Sequence, residues 1–199
     1  MSGFERRKQM KMEQIFQASA QLFAKYGYEK VSVNEIAERA SVSPATIYNY
    51  FGTKDRLYAA MVKGGMEKQL QQCESILQSK MSYREKTKAI MLLDAQSLQL
   101  LSEDASAADA LRHHGVMTAM EEFYEEAIKP FYIRYLALGK QEGYIGSSLS
   151  EDMAIRYLRM FMNELGRQWS GDKSAFHSGS ELDSMLELFF FGLAGQCED

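Results

Sequence analysis

The side chains best suited to recognition chemistry lie close together between Thr46 and Lys54. A hydroxyl, two phenols, an amide and an ammonium group fall within this segment, in the order Thr46, Tyr48, Asn49, Tyr50 and Lys54. Hydroxyl, phenol and ammonium groups donate hydrogen bonds to phosphate oxygens, and the asparagine amide matches the edge of adenine. The segment is therefore typical of a surface that contacts nucleic acid. Each tyrosine has an alternative role as an amphipathic residue at the rim of a helical core.

Two short helices joined by a tight turn are predicted to carry these groups. Ser32 is followed three residues later by Glu35, which forms a capping box and predicts a helix start. Ser43 can cap the next helix, and Pro44 at its first position loses nothing because that N–H has no intrahelical partner. That second helix should end near Phe51. Helix pairs of this kind are common packing units, so their geometry alone does not establish DNA binding.

The whole chain is predicted to be helical. Pro44 and Pro130 are the two prolines among 199 residues, and no segment shows the alternating β-branched pattern of a strand. The sequence therefore predicts an all-α fold with a three-helix head at 1–52, a connecting helix at 53–80 and a larger helical body at 81–199.

One of the predicted helices has clear bounds, and two others contain residues that affect their shape. The first helix should run from about Arg6 to Tyr26. Gly64 and Gly65 are expected to interrupt the connecting helix, because glycine in a helix interior costs about 1 kcal/mol relative to alanine. The pair is either a hinge or a site of close packing against a neighbouring helix. Pro130 should kink the long helix that contains it.

Charge is distributed unevenly along the chain. The net charge is -4, but residues 1–63 hold 10 Lys/Arg against 6 Asp/Glu, which leaves the remainder at -8. A basic head on an acidic body favours contact between the head and a polyanion. The alternative is that these basic residues are simply solvated on helical surfaces.

Composition excludes several classes of protein. Apolar residues make up 46% of the chain, and no apolar run approaches the roughly 20 residues that span a bilayer. No signal segment follows the charged N-terminus, so a cytoplasmic location is expected. Cys73 and Cys197 lack metal-ligand spacing, and His113 and His114 point about 100° apart on a helix. No metal site and no cofactor are expected.

Enzyme motifs are missing from the sequence. It contains no glycine-rich phosphate loop, no G-x-S-x-G elbow and no H-E-x-x-H pair. A catalytic role would need a constellation that residue spacing does not reveal. The sequence therefore indicates a protein that is not an enzyme.

A longer match identifies a family. The segments A-x-x-x-L-F-A-K-Y-G-Y, V-x-E-I-A-E-R-A-S-V-S and T-I-Y-N-Y-F-G-T-K-D-R-L follow one another between Ile15 and Met61. In this combination the chain resembles the TetR (tetracycline repressor) family of bacterial transcription regulators, with the body matching in layout alone. Ser41 and Ala45 depart from the family pattern, since both positions commonly hold glycine.

The resemblance implies a sequence-specific DNA-binding regulator that acts as a homodimer on a palindromic operator. The resemblance further implies a repressor that leaves its operator when it binds a small-molecule ligand. The two half-sites of the operator would lie about 34–36 Å apart. The residues implied to contact DNA are Ser32, Asn34, Ser43, Ala45, Thr46, Tyr48, Asn49, Tyr50 and Lys54. Ala45 and Asn49 would face bases, and the others would hold the backbone.

The resemblance also assigns ligand binding and dimerisation to the body. Its many Met, Tyr and Phe side chains suit an apolar or amphipathic ligand, although each of them has an ordinary core position as its alternative. Candidate pocket residues are Met91, Asp94, Met117, Met120, Tyr124, Phe131, Phe161 and Asn163. Asp94 and Asn163 could orient a ligand or lie on a solvated face.

The last helix, predicted from Glu181 to Gly195, is apolar over more than one stripe. Such a helix is either central in its own domain or shared with a partner chain. Candidate dimer residues are Tyr157, Phe161, Leu186, Phe189, Phe190 and Leu193. The competing interpretation of the whole chain is a dimeric, all-helical small-molecule-binding or interaction protein without operator function.

Overall fold

The computed structural model describes residues 2–102, 114–171 and 179–192. Every regular element within these ranges is helical, which confirms the all-α fold. The helices are α1 Gly3–Tyr26, α2 Val33–Arg39, α3 Pro44–Phe51, α4 Lys54–Leu77, α5 Tyr83–Ser102, α6 His114–Phe123, α7 Lys129–Gln141, α8 Glu151–Gly171 and α9 Gly179–Phe191. A π-helical segment, Tyr124–Ile128, joins α6 to α7.

The described residues form two compact units. The head unit comprises 2–68, 102 and 114–126, and the body unit comprises 69–101, 127–171 and 179–192. Helix α4 belongs to the head as far as Lys68 and to the body from Gln69. The sequence placed the end of the head at residue 52, whereas the packing extends it because Leu57 and Tyr58 are buried in the head core.

The head is built around a small apolar core. Ile15 and Phe23 from α1 are buried there together with Ile36 from α2, Ile47 from α3 and Leu57 from α4. Each helix contributes at least one side chain with almost no exposed surface. Because four helices share one closely packed core, the position of α3 relative to α1, α2 and α4 is fixed.

Helix α1 begins earlier than the predicted Arg6. The backbone N–H of Ser2 donates to Oε2 of Glu5 over 2.7 Å, and the N–H of Glu5 donates to Oγ of Ser2 over 3.2 Å. This reciprocal capping box starts the helix at Gly3. Every side chain from Gly3 to Lys11 is exposed.

Gly64 and Gly65 lie inside α4 without interrupting it, so the predicted interruption is wrong. A Cβ atom on Gly64 would lie 3.3 Å from Cε2 of Phe16, while one on Gly65 would have no neighbour within 4 Å. Gly64 therefore supports the close-packing alternative, since Phe16 of α1 lies against its backbone.

The body core joins α5 to α7. The ring of Tyr83 stacks on that of Tyr135 at 4.9 Å between centroids, and the hydroxyls of Thr87 and Tyr135 are 2.7 Å apart. A Cβ atom on Gly139 would lie 2.5 Å from Cζ and from the hydroxyl oxygen of Tyr83. Glycine is therefore required at this point of contact between the two helices.

Pro130 lies at the start of α7, directly after the π-helical segment. Proline lacks the N–H that would continue the helical ladder, and a local shift to i→i+5 hydrogen bonding accommodates this loss. The sequence predicts a kink at Pro130, and the structure shows a π-helical turn immediately before its helix.

Candidate nucleic-acid interface

Helix α2 begins with the predicted capping box and ends in an unusual turn. The N–H of Ser32 donates to Oε2 of Glu35 over 2.7 Å, and Oγ of Ser32 accepts from the N–H of Glu35 over 3.2 Å. After α2, the N–H of Val42 donates to the carbonyl of Ala37 over 2.9 Å. Ser41 closes this turn with a φ of 55°, a left-handed conformation that favours glycine.

Helix α3 is capped as predicted. Oγ of Ser43 accepts a hydrogen bond from the N–H of Thr46 over 3.2 Å and lies 2.9 Å from the Thr46 hydroxyl. Pro44 occupies the first helical position. These local bonds fix the start of α3, so its exposed side chains extend from a defined backbone.

The outer face of α3 has a central row formed by Ala45 and Asn49, which we call the crest, and a flank on either side of it. Ile47 and Phe51 are 1% and 8% exposed and point into the head core. With 3.6 residues per turn, Ala45 and Asn49 lie on the face opposite these two anchors, and both are exposed. Tyr48, which is 50% exposed, lies to one side of the crest.

The other flank carries Tyr50, which is 39% exposed, and Thr46, which is half-buried. Their hydroxyl-bearing side chains lie on the opposite side of the crest from Tyr48. An exposed amide between two flanks of hydroxyl groups suits a helix that meets base edges at its centre and phosphates at its sides. Ser32, Asn34 and Ser43 are exposed at the helix starts.

Lys54 has a structural role that the sequence did not indicate. Its Nζ donates to the carbonyls of Tyr28 and Val31 over 3.0 and 3.2 Å and lies 4.2 Å from the centroid of the Tyr28 ring. An ammonium group has three donors, so one remains after these two bonds. Lys54 thereby fastens the loop between α1 and α2 to the start of α4.

Tyr28 and Asp55 are further residues that sequence reasoning missed. The Tyr28 hydroxyl donates to the Asp55 carboxylate. Burial raises the pKa of Tyr28 above its ordinary value, and the hydrogen bond and negative charge of Asp55 add to the effect. The two residues are 27 positions apart, so no local pattern signals their pairing.

A partly buried polar trio lies in the body. Gln69 of α4 donates from Nε2 to Oδ1 of Asp94 over 2.5 Å, and the hydroxyl of Tyr132 donates to Oδ2 over 3.1 Å. Burial raises the pKa of Asp94 to about 6, while the hydrogen bonds from Tyr132 and Gln69 act in the opposite direction. This carboxylate joins α4, α5 and α7 within the body unit.

Comparison with known proteins places the head in a family. Residues 15–61 match the model of the bacterial regulatory proteins, tetR family. The chain is 24% identical over 194 residues to the fatty acid metabolism regulator protein of Bacillus subtilis, and the match covers 94% of this chain and 98% of that protein. Residues 15–61 belong to the TetR family. The protein is a DNA-binding transcriptional regulator, and the alternative without operator function is not supported.

Solved structures agree with the TetR fold over nearly the whole chain. The fatty acid degradation regulator FadR of Bacillus halodurans superposes with a TM-score of 0.75 at 22% identity, covering 94% of this chain and 97% of that chain. FadR of Bacillus subtilis, solved in complex with stearoyl-CoA, gives a TM-score of 0.70 at 24% identity, covering 91% and 98%.

The residues predicted to line the TetR effector pocket divide between the two units. Met117, Met120 and Tyr124 belong to the head unit, and the other five belong to the body unit. Met120 packs against the head core, and Met117 is 43% exposed. Asn163 is also exposed, so neither it nor Met117 lies in an enclosed site.

Within the body, two predicted pocket residues are buried and a third accepts hydrogen bonds. Met91 and Phe131 are buried, and Asp94 is held in the polar trio. Phe161 is half-buried, with its ring centroid 5.0 Å from that of Phe189. Asp94 is therefore the polar candidate best placed for an interior role.

The predicted dimer residues also need one correction. Leu186 is 1% exposed because it is buried with Met91 and Met162 in its own chain, so it is not available to a partner. Tyr157 is exposed, Phe189 and Phe190 are half-buried, and Leu193 lies outside the described residues.

Further exposed apolar side chains accompany Tyr157 on α8 and α9. Met153, Tyr157 and Met160 of α8 are 54%, 38% and 62% exposed, and Leu188 of α9 is 43% exposed. The three α8 residues follow steps of four and three, which place them on one side of the helix. We call these four residues the α8–α9 face.

The described ranges hold neither a metal cluster nor a membrane-spanning helix. No group of three or more His, Cys, Asp or Glu side chains there is arranged to hold a metal ion. No helix in that part of the chain is both long enough and apolar enough to cross a membrane.

Proposed function

We propose that the protein is a homodimeric repressor that binds a palindromic operator and leaves it when the body binds a long-chain acyl-coenzyme A. The observation that carries the DNA part is the outer face of α3, where an exposed amide lies between hydroxyl-bearing flanks. Two copies of α3, related by two-fold symmetry, would enter successive major grooves. The protein would act in the cytoplasm without catalysing a reaction.

The proposed contacts follow from position on α3. Ala45 and Asn49 at the crest face base edges, with Asn49 donating to and accepting from adenine. Thr46, Tyr48 and Tyr50 on the flanks hold phosphate oxygens. Burial of Ile47 and Phe51 fixes the rotation of α3 about its own axis. If α3 were rotated, flank residues would take the central position that Ala45 and Asn49 now hold.

The starts of α2, α3 and α4 provide additional backbone contacts. Ser32, Asn34 and Ser43 lie where free N–H groups and the helix dipole favour an anion. Lys54 adds its remaining donor and its positive charge at the start of α4. Since the same ammonium holds the loop carbonyls, Lys54 would both shape the head and attract the backbone.

The α8–α9 face is the proposed dimer surface. The exposed side chains of Met153, Tyr157 and Met160 share one side of α8, which a symmetric partner would cover with the same residues, and Leu188 of α9 would add to this surface. Half-buried Phe161, Phe189 and Phe190 would support this surface from below.

The acyl-coenzyme A proposal rests on the relatives. A fatty acid metabolism regulator matches 94% of the chain, and a structural neighbour was solved with stearoyl-CoA. An acyl chain would lie among the apolar side chains of the body, of which Met91 and Phe131 are examples. The ligand must bind the conformation that does not fit DNA more tightly, because equal affinity for both conformations shifts no population.

The operator proposal is tested with Asn49→Ala and Lys54→Ala in a selection from randomised duplexes, followed by salt titrations. Asn49→Ala should change the preferred base at one position of each half-site, at a cost of about 1–3 kcal/mol on the original operator. Lys54→Ala should weaken all sequences about equally and reduce the salt slope by about 0.9 per head. An unaltered sequence profile for Asn49→Ala would refute its assignment to bases.

The ligand proposal is tested by adding stearoyl-CoA to the protein–operator complex and following DNA release by fluorescence anisotropy. Release should occur with stearoyl-CoA but not with free coenzyme A at the same concentration, because the acyl chain supplies the apolar contact area. If a series of long-chain acyl-coenzyme A esters releases no DNA, the acyl-coenzyme A proposal fails while operator binding stands.

A further inference from the structure

We propose that the first turns of α1, Gly3–Lys11, form a second DNA-contacting element that holds the phosphate backbone beside the α2–α3 site. We call this segment the N-terminal arm. The inference rests on the proposed operator binding and adds a contact that the family match at residues 15–61 does not include.

The N-terminal arm is strongly basic. Arg6, Arg7, Lys8 and Lys11 are all exposed, and none of them takes part in an ion pair or side-chain hydrogen bond with another described residue. Glu5 is the single acidic residue of the arm, and its carboxylate already accepts from the N–H of Ser2. Four cations without described partners therefore face solvent within two turns of helix.

The arm also exists as a formed helix although its side chains are exposed. Short helices without packing partners are marginally stable in water, so the capping box at its first residue provides needed support. A preformed helix pays little conformational entropy when it meets a ligand. A rigid cationic arm therefore suits the regularly spaced charges of duplex DNA.

The direction of the arm's cations follows from α1 itself. Arg7 and Lys11 are four residues apart, and Ala18 lies seven residues beyond Lys11, so all three lie along one face of the helix. Ala18 is buried in the head core. This face of the arm therefore continues the side of α1 that packs on the rest of the head.

The opposite flank of α1 meets α4. Phe16 lies against Gly64, and the Phe23 ring is 5.5 Å from that of Tyr58. These contacts are about 100° or more around the helix from Lys11. By contrast, Gln21, on the side of Arg7, accepts from Nη2 of Arg39 in α2 over 2.9 Å. Arg7 and Lys11 thus lie on the side of α1 that also carries Gln21, and Gln21 contacts Arg39 at the end of α2.

The test compares two double variants that each remove two positive charges. Arg7→Gln with Lys11→Gln alters the arm, and Lys68→Gln with Lys80→Gln alters exposed sites beyond the matched residues 15–61. Glutamine keeps the helix propensity of lysine and arginine, so circular dichroism and thermal unfolding should resemble the wild type in both.

The arm variant should reduce the salt slope of operator binding by about 0.9 for each phosphate that the arm no longer neutralises, or about 1.8 per head. Its preferred operator sequence should stay the same, because phosphates carry no direct sequence information. The control variant should keep the wild-type slope. Equal slopes for the two double variants would overturn the inference.

A second measurement uses operator duplexes trimmed at their flanks. Shortening the flanking DNA should weaken wild-type binding and leave the arm variant nearly unaffected, since the variant does not hold the flanking phosphates in either duplex. Equal sensitivity of both proteins to trimming would overturn the inference. Failure of the wild-type protein to bind any duplex would instead refute the proposed function.

Discussion

Ser41 holds a backbone conformation that its side chain disfavours. Among the described residues, Ser41 is the one non-glycine residue with a positive φ. A non-glycine residue in this conformation costs roughly 1–2 kcal/mol. The Val42 to Ala37 hydrogen bond closes the turn and holds Ser41 there. The departure from glycine that is visible in the sequence therefore has a measurable energetic consequence.

Ser41→Gly should stabilise the protein by about 0.5–1 kcal/mol. Relief of the left-handed strain outweighs the extra freedom that glycine gives the unfolded chain. The measurement is urea unfolding followed by circular dichroism. Ser147→Gly, in the loop before α8 where φ is not positive, should destabilise slightly and serves as the control. A loss of stability in Ser41→Gly would contradict this account of the turn.

Asp94 should make the stability of the body depend on pH. Because burial raises its pKa to about 6 from an ordinary 3.8, the folded protein binds a proton at this site that the unfolded chain has released. The contribution of Asp94 to stability is therefore greatest below about pH 4 and falls as the pH rises toward 6. Above pH 6 it stays at its low value.

Asp94→Asn should remove this dependence. The difference in unfolding free energy between variant and wild type should rise from about pH 4 to pH 6 and then level off. Tyr132→Phe removes a hydrogen bond that lowers the pKa of Asp94, so it should move the same transition to higher pH. A difference that is constant from pH 4 to pH 7 would show that Asp94 does not titrate in this range.

At the scale of helices, local rules predicted the helix starts, whereas contacts between residues far apart in the sequence could not be predicted. Ser32 with Glu35 and Ser43 with Pro44 fixed the starts of α2 and α3, because caps act over three residues. Lys54 was expected to hold a phosphate, and the structure shows that it also donates to two carbonyls that lie 23 and 26 residues away. Such bonds depend on tertiary packing, which no spacing in the sequence encodes.

The continuity of α4 gives a matched pair of substitutions. Gly65→Ala should stabilise the protein by about 0.5–1 kcal/mol, because alanine favours the helix and its methyl meets no neighbour within 4 Å. Gly64→Ala should gain less or lose stability, because its methyl would lie 3.3 Å from the Phe16 ring.

Thermal unfolding and operator release by ligand measure different properties of this pair. If Gly65→Ala is more stable and releases DNA at the wild-type ligand concentration, Gly65 is not needed as a hinge. A variant that is stable and binds operator, but no longer responds to ligand, would assign a hinge to this residue. Gly64→Ala provides the packing reference in both measurements.

At the scale of the whole molecule, the α8–α9 face should control assembly. Met160→Glu would place a carboxylate in the proposed interface twice, once from each protomer, and burying unpaired charge is costly. The variant should weaken the dimer by about 100-fold or more, measured by sedimentation velocity over a range of concentrations.

Met81→Glu serves as the control for dimerisation, since Met81 is similarly apolar and 38% exposed outside the α8–α9 face. It should leave the sedimentation coefficient unchanged. Loss of the dimer in Met160→Glu should also reduce operator affinity, because each monomer then binds a single half-site. A Met160→Glu protein that remains dimeric would place the interface elsewhere.

Cys73 gives the body an intrinsic probe of its own opening. The thiol is buried, and burial together with the charges of Asp94 and Glu74 raises its pKa to about 12. Because the thiolate is the reactive form, Cys73 should be alkylated only when the surrounding helices separate. In a Cys197→Ser background, the alkylation rate would report how often this part of the body opens. A ligand that binds the closed body would slow that rate even if no DNA were present.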